Sequence, residues 1–229
     1  MQDKEEREMT IASRVNALKN TIPAWVKVVA VSKFHPVEDI MQAYEAGQRI
    51  FGESRVQELL PKQEELPADI EWHFVGHLQR NKVRQIAPFI SLIHSVSSER
   101  LMREIDKQAA ANNRVIPGLL QVHIAEEESK SGFRPDECHK FLAEGRWRDY
   151  PNVQLAGVMG MATFTEDMEK VRAEFRQLKS LFDEWKANYF QDDPAFKEVS
   201  MGMSDDHPIA IEEGSTMVRL GTVLFGSRG

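Results

Sequence analysis

The sequence contains a single cysteine, Cys138, so no disulfide can form within the chain. A lone thiol suits a reducing compartment, and we expect a cytoplasmic protein. Cys138 precedes Phe141 and Leu142 at helical spacing, which predicts a buried packing residue. The start, MQDKEERE, is charged where a secretory signal needs a basic and then an apolar segment. No apolar run approaches the roughly 20 residues of a membrane span, so we expect no membrane contact.

A basic excess is also missing, because the formal net charge is −7. Nucleic acids and anionic lipids attract basic surfaces, so we expect neither as a partner. One basic cluster follows the third apolar run, and we interpret it as a solvated helix face, with a nucleic-acid module as the third-ranked alternative. Its members are Arg80, Lys82 and Arg84.

Several chemical motifs are absent as well. The sequence has no P-loop, no Gly-x-Ser-x-Gly elbow and no Gly-x-Gly-x-x-Gly that opens a helix. His73 and His77 are four residues apart, but they fall on a predicted strand and the loop after it, without an HExxH motif or a cysteine pair. We therefore expect no metal site.

Short apolar runs rich in β-branched residues recur eight times along the chain. They lie at 25–32, 49–52, 71–75, 92–96, 116–124, 153–161, 196–203 and 217–221. Segments with helical spacing separate them, and the clearest runs from about Glu166 to Tyr189 with Thr165 as its N-cap. A further amphipathic stripe, from Ile11 to Ile22, precedes the first run and stops at Pro23.

Repeated strand-helix units predict a parallel sheet with right-handed crossovers, and eight such units usually close into a barrel. We predict an α/β protein with a single (β/α)₈ TIM-barrel domain over residues 1–229. Its extra N-terminal helix, within 1–22, would occupy the position in the outer ring of helices that an eighth crossover helix normally takes. An open doubly wound sheet is the alternative, because periodicity alone cannot show closure.

The run VVAVSKFHP, residues 28–36, leads directly into a charged residue. Lys33 would lie at the C-terminal end of the first strand, the face on which TIM barrels place their active sites. An amine partly withdrawn from water there is a Schiff-base candidate. The alternative is a lysine whose stem covers the rim while its head stays in water.

The last two predicted strands end in residues suited to an anion. Loops after strands seven and eight are the usual phosphate site of a TIM barrel. Gly221 has no side chain to keep a phosphate from the backbone, while Ser204 and Thr222 offer hydroxyls and amides.

Arg219 alternates with Val218 and Leu220, so it would point into the barrel when they face the helices. A buried guanidinium needs an electron-rich partner. That partner would be a ligand ring nitrogen, a ligand phosphate or an internal carboxylate, for which the sequence offers Asp205, Glu212 and Glu213.

Six motifs, in register from about residue 10 to 228, resemble the pyridoxal phosphate homeostasis proteins of the YggS/PROSC type. They are Ala30-Val31-Ser32-Lys33, Phe51-Gly52-Glu53, Gly76-His77-Leu78-Gln79-x-Asn81-Lys82, Ser129-Lys130-Ser131-Gly132-Phe133, Ser200-Met201-Gly202-Met203-Ser204 and Gly214-Ser215-Thr216-x-Val218-Arg219-x-Gly221-Thr222. Two places depart from the usual pattern: Ser54-Arg55 stands where the family commonly has Asn-Tyr, and Val158 stands where it commonly has Leu.

The resemblance implies a fold-type III barrel like the N-terminal domain of alanine racemase, with pyridoxal 5′-phosphate (PLP) held as a covalent imine on Lys33. Ser204, Gly221 and Thr222 would hold the phosphate, and Arg219 would face the pyridine nitrogen. The full set of implied cofactor-binding residues is Lys33, His77, Met203, Ser204, Arg219, Gly221 and Thr222.

The resemblance implies a PLP carrier that is not an enzyme, active in vitamin B6 and amino-acid homeostasis, with PLP-dependent apoenzymes as partners. An arginine facing the pyridine nitrogen disfavours protonation there, so the ring would be a poor electron sink. Holding and releasing the cofactor would not be impaired.

The alternative function is an amino-acid racemase, which needs a second acid/base on the opposite face of the ring. In the racemases that the chain resembles this is a tyrosine from a separate C-terminal domain, whereas the sequence ends at Gly229. Tyr44 and Tyr189 lie in predicted helices, which leaves His35, His77 and Lys130 as candidate weak acids. We therefore favour the carrier and, without the domain through which the racemases pair, expect a monomer.

Overall fold

The computed structural model describes residues 9–126 and 131–226. Eight parallel strands form a closed barrel in sequence order, which confirms the predicted fold class and excludes the open sheet. The strands are β1 Lys27–Val31, β2 Ile50–Glu53, β3 Glu71–Phe74, β4 Leu92–Val96, β5 Ile116–Gln121, β6 Val153–Met159, β7 Glu198–Ser200 and β8 Met217–Leu220.

Helices surround the barrel. They are α1 Ile11–Thr21, α2 Val37–Glu45, α3 Val56–Glu65, α4 Val83–Ile86, α5 Glu99–Ala111, α6 Pro135–Ala143, α7 Met168–Tyr189, α8 His207–Glu212 and α9 Thr222–Phe225, with 3₁₀ turns at Arg80–Lys82 and Arg146–Asp149. Among the described residues, none of these helices is long and apolar enough to cross a membrane.

Helix α1 is the predicted addition to the barrel. The Thr10 hydroxyl accepts a hydrogen bond from Ser13 N, which caps the helix, and Val15 and Leu18 are buried. The helix packs against α2 and against the short α9 that follows the last strand. It therefore covers the gap in the outer ring that a full eighth crossover helix would fill, as predicted.

The apolar residues form two layers. The smaller lies inside the barrel and is built from Val29, Leu92, Leu119, Ala156, Met159 and Met217. The larger lies between the strands and the helices and includes Val218 and Leu220 of β8. Because successive residues of a strand face opposite sides, these two layers leave Arg219 on the inner side.

Two details of the outer layer concern the sequence predictions. Cys138 is fully buried on α6, as predicted, and burial raises the pKa of its thiol. Helix α7 begins at Met168, and its N-cap is Asp167, whose carboxylate accepts from Lys170 N. The prediction of Thr165 as N-cap was wrong, because its hydroxyl instead accepts from Asp167 N, one turn too early.

Several of the predicted strands were too long at their C-terminal ends. The run 196–203 contains a strand of only three residues, Glu198–Ser200, and the run 116–124 ends its strand at Gln121. The residues that leave the sheet early form the loops at the C-terminal mouth of the barrel, where the candidate site lies.

Candidate functional site

Lys33 follows β1 at the C-terminal mouth of the barrel and is half-buried. The Ser32 carbonyl accepts from His35 N at 3.0 Å, which closes a four-residue turn around Lys33 and Phe34. Among the described residues, none forms a hydrogen bond or ion pair with the Lys33 side chain. The amine is therefore positioned by its backbone and left open to a ligand.

Gly221 and Thr222 lie beside this turn because β8 pairs with β1. Ala30 is in register with Leu220, so the residue after β8 sits next to the end of β1. A Cβ placed on Gly221 would lie 3.5 Å from the Val31 carbonyl oxygen. The structure therefore brings together Lys33 and the two residues predicted to bind phosphate after the last strand.

The loop after β7 is fixed to the same end of β8. Gly202, with a φ of 95°, directs its carbonyl to Arg219 N at 2.9 Å. The Asp206 carboxylate accepts from Met203 N at 2.5 Å. Ser204 is half-buried in this loop and Met203 is exposed. These bonds hold the predicted phosphate-binding loops after β7 and β8 next to each other.

Arg219 points into the barrel and is only 5% exposed. Its Nη1 donates to Ser200 Oγ at 2.7 Å and its Nη2 to the Gly160 carbonyl at 3.1 Å. Burial lowers the pKa of the guanidinium to about 10, while the nearby Asp206 carboxylate opposes that shift. The side chain thus has two neutral partners and remains a buried cation.

The expected carboxylate partners of Arg219 are not its partners. Glu212 and Glu213 bind Arg172 of α7 instead, and Glu213 also binds Arg176. Within residues 9–126 and 131–226, no ion pair joins Arg219 to a carboxylate, Asp205 included. Among the described residues, an ion pair of Arg219 with Asp205, Glu212 or Glu213 is therefore wrong, and a ligand partner stays a prediction.

A chain of buried polar side chains continues from Arg219 across the barrel. Ser200 Oγ lies 2.9 Å from His94 Nδ1, and His94 Nε2 lies 3.0 Å from His73 Nδ1. Because Ser200 accepts from the arginine, its hydroxyl proton is available to His94, and His94 can then donate to His73. The sequence analysis missed Ser200 and His94, although a histidine and serines inside otherwise apolar strands were visible signals.

Replacing Ser200 by alanine, Ser200→Ala, should destabilise the fold by about 1–3 kcal/mol, because the Arg219 and His94 groups would stay buried without this partner. Ser95→Ala is a matched control: Ser95 is also buried, but its hydroxyl has no partner among the described residues. Its removal should be neutral or stabilising. Urea unfolding of both variants measures the difference, and equal effects would contradict a contribution from the polar chain.

The two histidines of this chain should make stability depend on pH. Burial lowers the pKa of His73 to about 3, helped by the charge of Lys27, and lowers the pKa of His94 well below its ordinary value. In the unfolded chain a histidine titrates near 6.5, so below that pH the unfolded state binds more protons. Stability is thus complete above about pH 6.5 and falls as the pH drops towards 3.

Lowering the pH from about 6.5 to about 5 should reduce the free energy of unfolding by about 2 kcal/mol for each histidine. Glu53 acts in the opposite direction, because burial raises its pKa. The variant His73→Gln isolates one histidine, and its urea unfolding should depend less on pH than that of the parent protein. An identical dependence in the two proteins would show that His73 is not neutral and buried as described.

A buried ion pair beside the Lys33 turn was also missed. Glu53, at the end of β2, and Lys62, on α3, lie 2.7 Å apart, and both contact Ser32. The signal in the sequence was a lysine on the apolar face of a helix, since Leu59, Lys62 and Leu66 are three and four residues apart and all buried.

His77 lies on the loop after β3, three residues beyond the end of the strand. It is exposed and lines an open pocket of about 520 Å³ with Ser54, Arg55 and Lys82, and Glu58, which accepts from Phe34 N beside Lys33, lines the same pocket. Ser54 and Arg55, two of the three positions that depart from the family pattern, thus lie in this pocket, and Arg55 also covers the Phe34 ring at 4.9 Å. The structure therefore groups six of the seven predicted residues on β8 and on the segments that follow β1, β7 and β8, and it places His77 on the loop after β3. Lys130 is outside the described residues.

Comparisons with known proteins identify the family of the chain. Residues 8–229 match the family described as "Alanine racemase, N-terminal domain". A "Pyridoxal phosphate homeostasis protein" of Aquifex aeolicus is 42% identical over 203 residues, which cover 88% of this chain and 87% of that protein. A relative of the same name from Synechocystis sp. is 40% identical and covers 91% and 94% of the two chains.

A solved structure, PipY of Synechococcus elongatus PCC7942 with PLP bound, superposes with a TM-score of 0.85. It is 37% identical and covers 94% of this chain and 100% of its own. The match therefore extends over nearly the whole chain. The chain therefore belongs to the pyridoxal phosphate homeostasis protein family, built on the barrel of the alanine racemase N-terminal domain.

Proposed function

We propose that the protein holds PLP as a Schiff base on Lys33 and releases it to other proteins, as part of intracellular PLP and amino-acid homeostasis. The observation that carries the proposal is the buried guanidinium of Arg219, which has no carboxylate partner among the described residues. It lies at the mouth that also contains the Lys33 amine, which has no partner within the same residues. The names of the relatives and the bound PLP of PipY support it.

The residues at the mouth fit the parts of PLP. The aldehyde supplies a carbon that condenses with a primary amine. Backbone at Gly221 is open to close approach, and the hydroxyls of Ser204 and Thr222 can donate to a phosphate. Arg219 uses two of its five N–H groups on described partners, which leaves donors for a ring nitrogen or an oxygen.

A carrier is favoured over a racemase by the positions of the three tyrosines. Tyr44 donates to Asp69 from α2, and Tyr150 donates to Glu99 beside α5. Tyr189 ends α7 and packs edge-on against a histidine of α6. Each is on the helical side of the barrel, so none is placed as an acid opposite Lys33.

The holoprotein, mixed with the apo form of a PLP-dependent enzyme, should restore that enzyme's activity, and its own imine absorbance should fall in parallel. The same holoprotein, incubated with an L-amino acid and assayed on a chiral column, should give no D-isomer at ordinary enzyme rates of roughly 1 per second or more. Turnover at such rates would contradict the carrier function and support the racemase function. Retention of PLP without transfer would contradict the carrier.

We also propose that the chain acts as a monomeric single domain over residues 1–229, in the cytoplasm. Sedimentation of the holoprotein at several concentrations tests the monomer, and a concentration-dependent increase in mass would contradict it.

A further inference from the structure

The residue before Lys33 is held at two points by buried groups. Lys62 Nζ donates to the Ser32 carbonyl at 2.9 Å and to Glu53 Oε1 at 2.7 Å. The Ser32 hydroxyl donates to the same Glu53 oxygen at 2.7 Å. Both charged side chains are nearly inaccessible, at 9% and 0% exposed. The end of β1 is therefore fixed to both β2 and α3.

The residue after Lys33 is held as well. Phe34 N donates to Glu58 Oε2 of α3 at 2.8 Å. Phe34 has a φ of 67°, a left-handed conformation that a bulky side chain rarely adopts. Such a conformation is strained and persists only where surrounding contacts impose it. The contacts on both sides of Lys33 supply that constraint.

We infer that Lys62, Glu53 and Glu58 are positioning residues, which together hold the Ser32–His35 turn so that the Lys33 amine stays aimed at the mouth whether or not PLP is attached. This inference rests on the proposed Schiff base. A carrier must release its cofactor and form the bond again, and a preset amine avoids ordering the turn at each cycle.

The alternative is an ion pair that stabilises the barrel without affecting the amine. The protein contains a second ion pair that serves as a control for distinguishing these two roles. Lys27 Nζ binds the buried carboxylate of Glu198 at 2.5 Å, and both residues stand at the first positions of their strands, β1 and β7. This second pair therefore uses the same strand as Lys33 but lies at the opposite end of the barrel.

The test compares Lys62→Met with Lys27→Met in the full-length apoprotein. After PLP is added, stopped-flow absorbance measures the rate of imine formation, and thermal unfolding measures stability. We expect Lys62→Met to slow imine formation between about 10- and 100-fold. Lys27→Met should leave the rate within about twofold while lowering thermal stability. Equal rates in the two variants would overturn the inference.

Burial raises the pKa of Glu53, and Lys62→Met removes the cation that opposes this shift. Should this variant still fail to fold, Glu58→Ala tests the inference from the other side of the turn. Its control is Glu64→Ala, an exposed glutamate on the same helix. Glu58→Ala should slow imine formation several-fold and Glu64→Ala should not, and identical rates would contradict the positioning role.

These outcomes are distinct from failure of the proposed function. A parent protein that forms no imine on Lys33 would contradict the function itself. If the parent protein forms the imine and the Lys62 and Glu58 variants form it at the same rate, only the positioning role is contradicted.

Discussion

Lys33→Ala is expected to abolish the visible absorbance of the imine and the covalent attachment of PLP after borohydride reduction. The reason is that an alanine offers no amine at the end of β1, next to the loop of Gly221 and Thr222. Absorption spectra and mass spectrometry of the reduced, digested protein measure the two effects. In the parent protein, the reduced adduct should lie on the peptide that contains Lys33.

Lys33→Arg is the matched control for charge. An arginine keeps the positive charge and much of the length, but it stays protonated and forms no imine. It should therefore also lose the covalent adduct while retaining PLP better than Lys33→Ala, as measured by equilibrium dialysis. An adduct on another lysine of the parent protein, or undiminished labelling of Lys33→Ala, would overturn the role of this residue.

Gly157→Ala is expected to unfold the barrel or to cost more than about 4 kcal/mol of stability. Gly157 has a φ of 146°, which L side chains rarely adopt, and it pairs with Glu198 between β6 and β7. A Cβ at this position would lie 1.8 Å from the Glu198 carbonyl oxygen, far inside contact distance. The two strands cannot separate to make room without opening the closed sheet. Circular dichroism and urea unfolding measure the loss.

Gly221→Ala is the control for Gly157→Ala. The backbone at Gly221 has a negative φ, −109°, and a Cβ there would make ordinary contacts at 3.5 Å and beyond. We expect stability to change by less than about 1 kcal/mol. If the phosphate approaches this backbone, the added methyl should nevertheless weaken PLP retention. A stable Gly157→Ala would mean that β6 and β7 are not paired as described.

Much of the fold could be predicted from local pattern. Eight apolar runs separated by helical stripes determine the alternation of elements, and the requirement to bury each stripe leads to a parallel sheet with helices outside. The inward direction of Arg219 followed from its two apolar neighbours on β8. Closure was the uncertain step, because it depends on β1 meeting β8, almost the whole chain apart.

The candidate site could be predicted only where each residue stands at a strand end. Lys33, Gly221 and Thr222 follow that rule, and so does Ser204 in the loop after β7. Side-chain hydrogen-bond partners were harder to predict, because His94 and Ser200 are separated by 106 residues and meet only after the barrel closes. The pairing of Glu53 with Lys62 likewise needs the register of α3 on β2.

The carboxylates expected to neutralise Arg219 show that closeness in sequence does not predict a side-chain contact. Glu212 and Glu213 are only a few residues from Arg219, but α8 directs them outward to the arginines of α7. The direction of this helix, and not the residue type, decides the contact.

The burial of Cys138 has a practical consequence. Because this is the single thiol of the chain and its raised pKa keeps it protonated, a maleimide reagent can react with it only when the shell between α6 and the barrel opens. The rate of alkylation of the unmodified protein thus reports its opening directly, with no engineered label and no background from a second site. Measured with and without PLP, that rate would show how far cofactor capture at the mouth restrains motion on the outer side of the molecule.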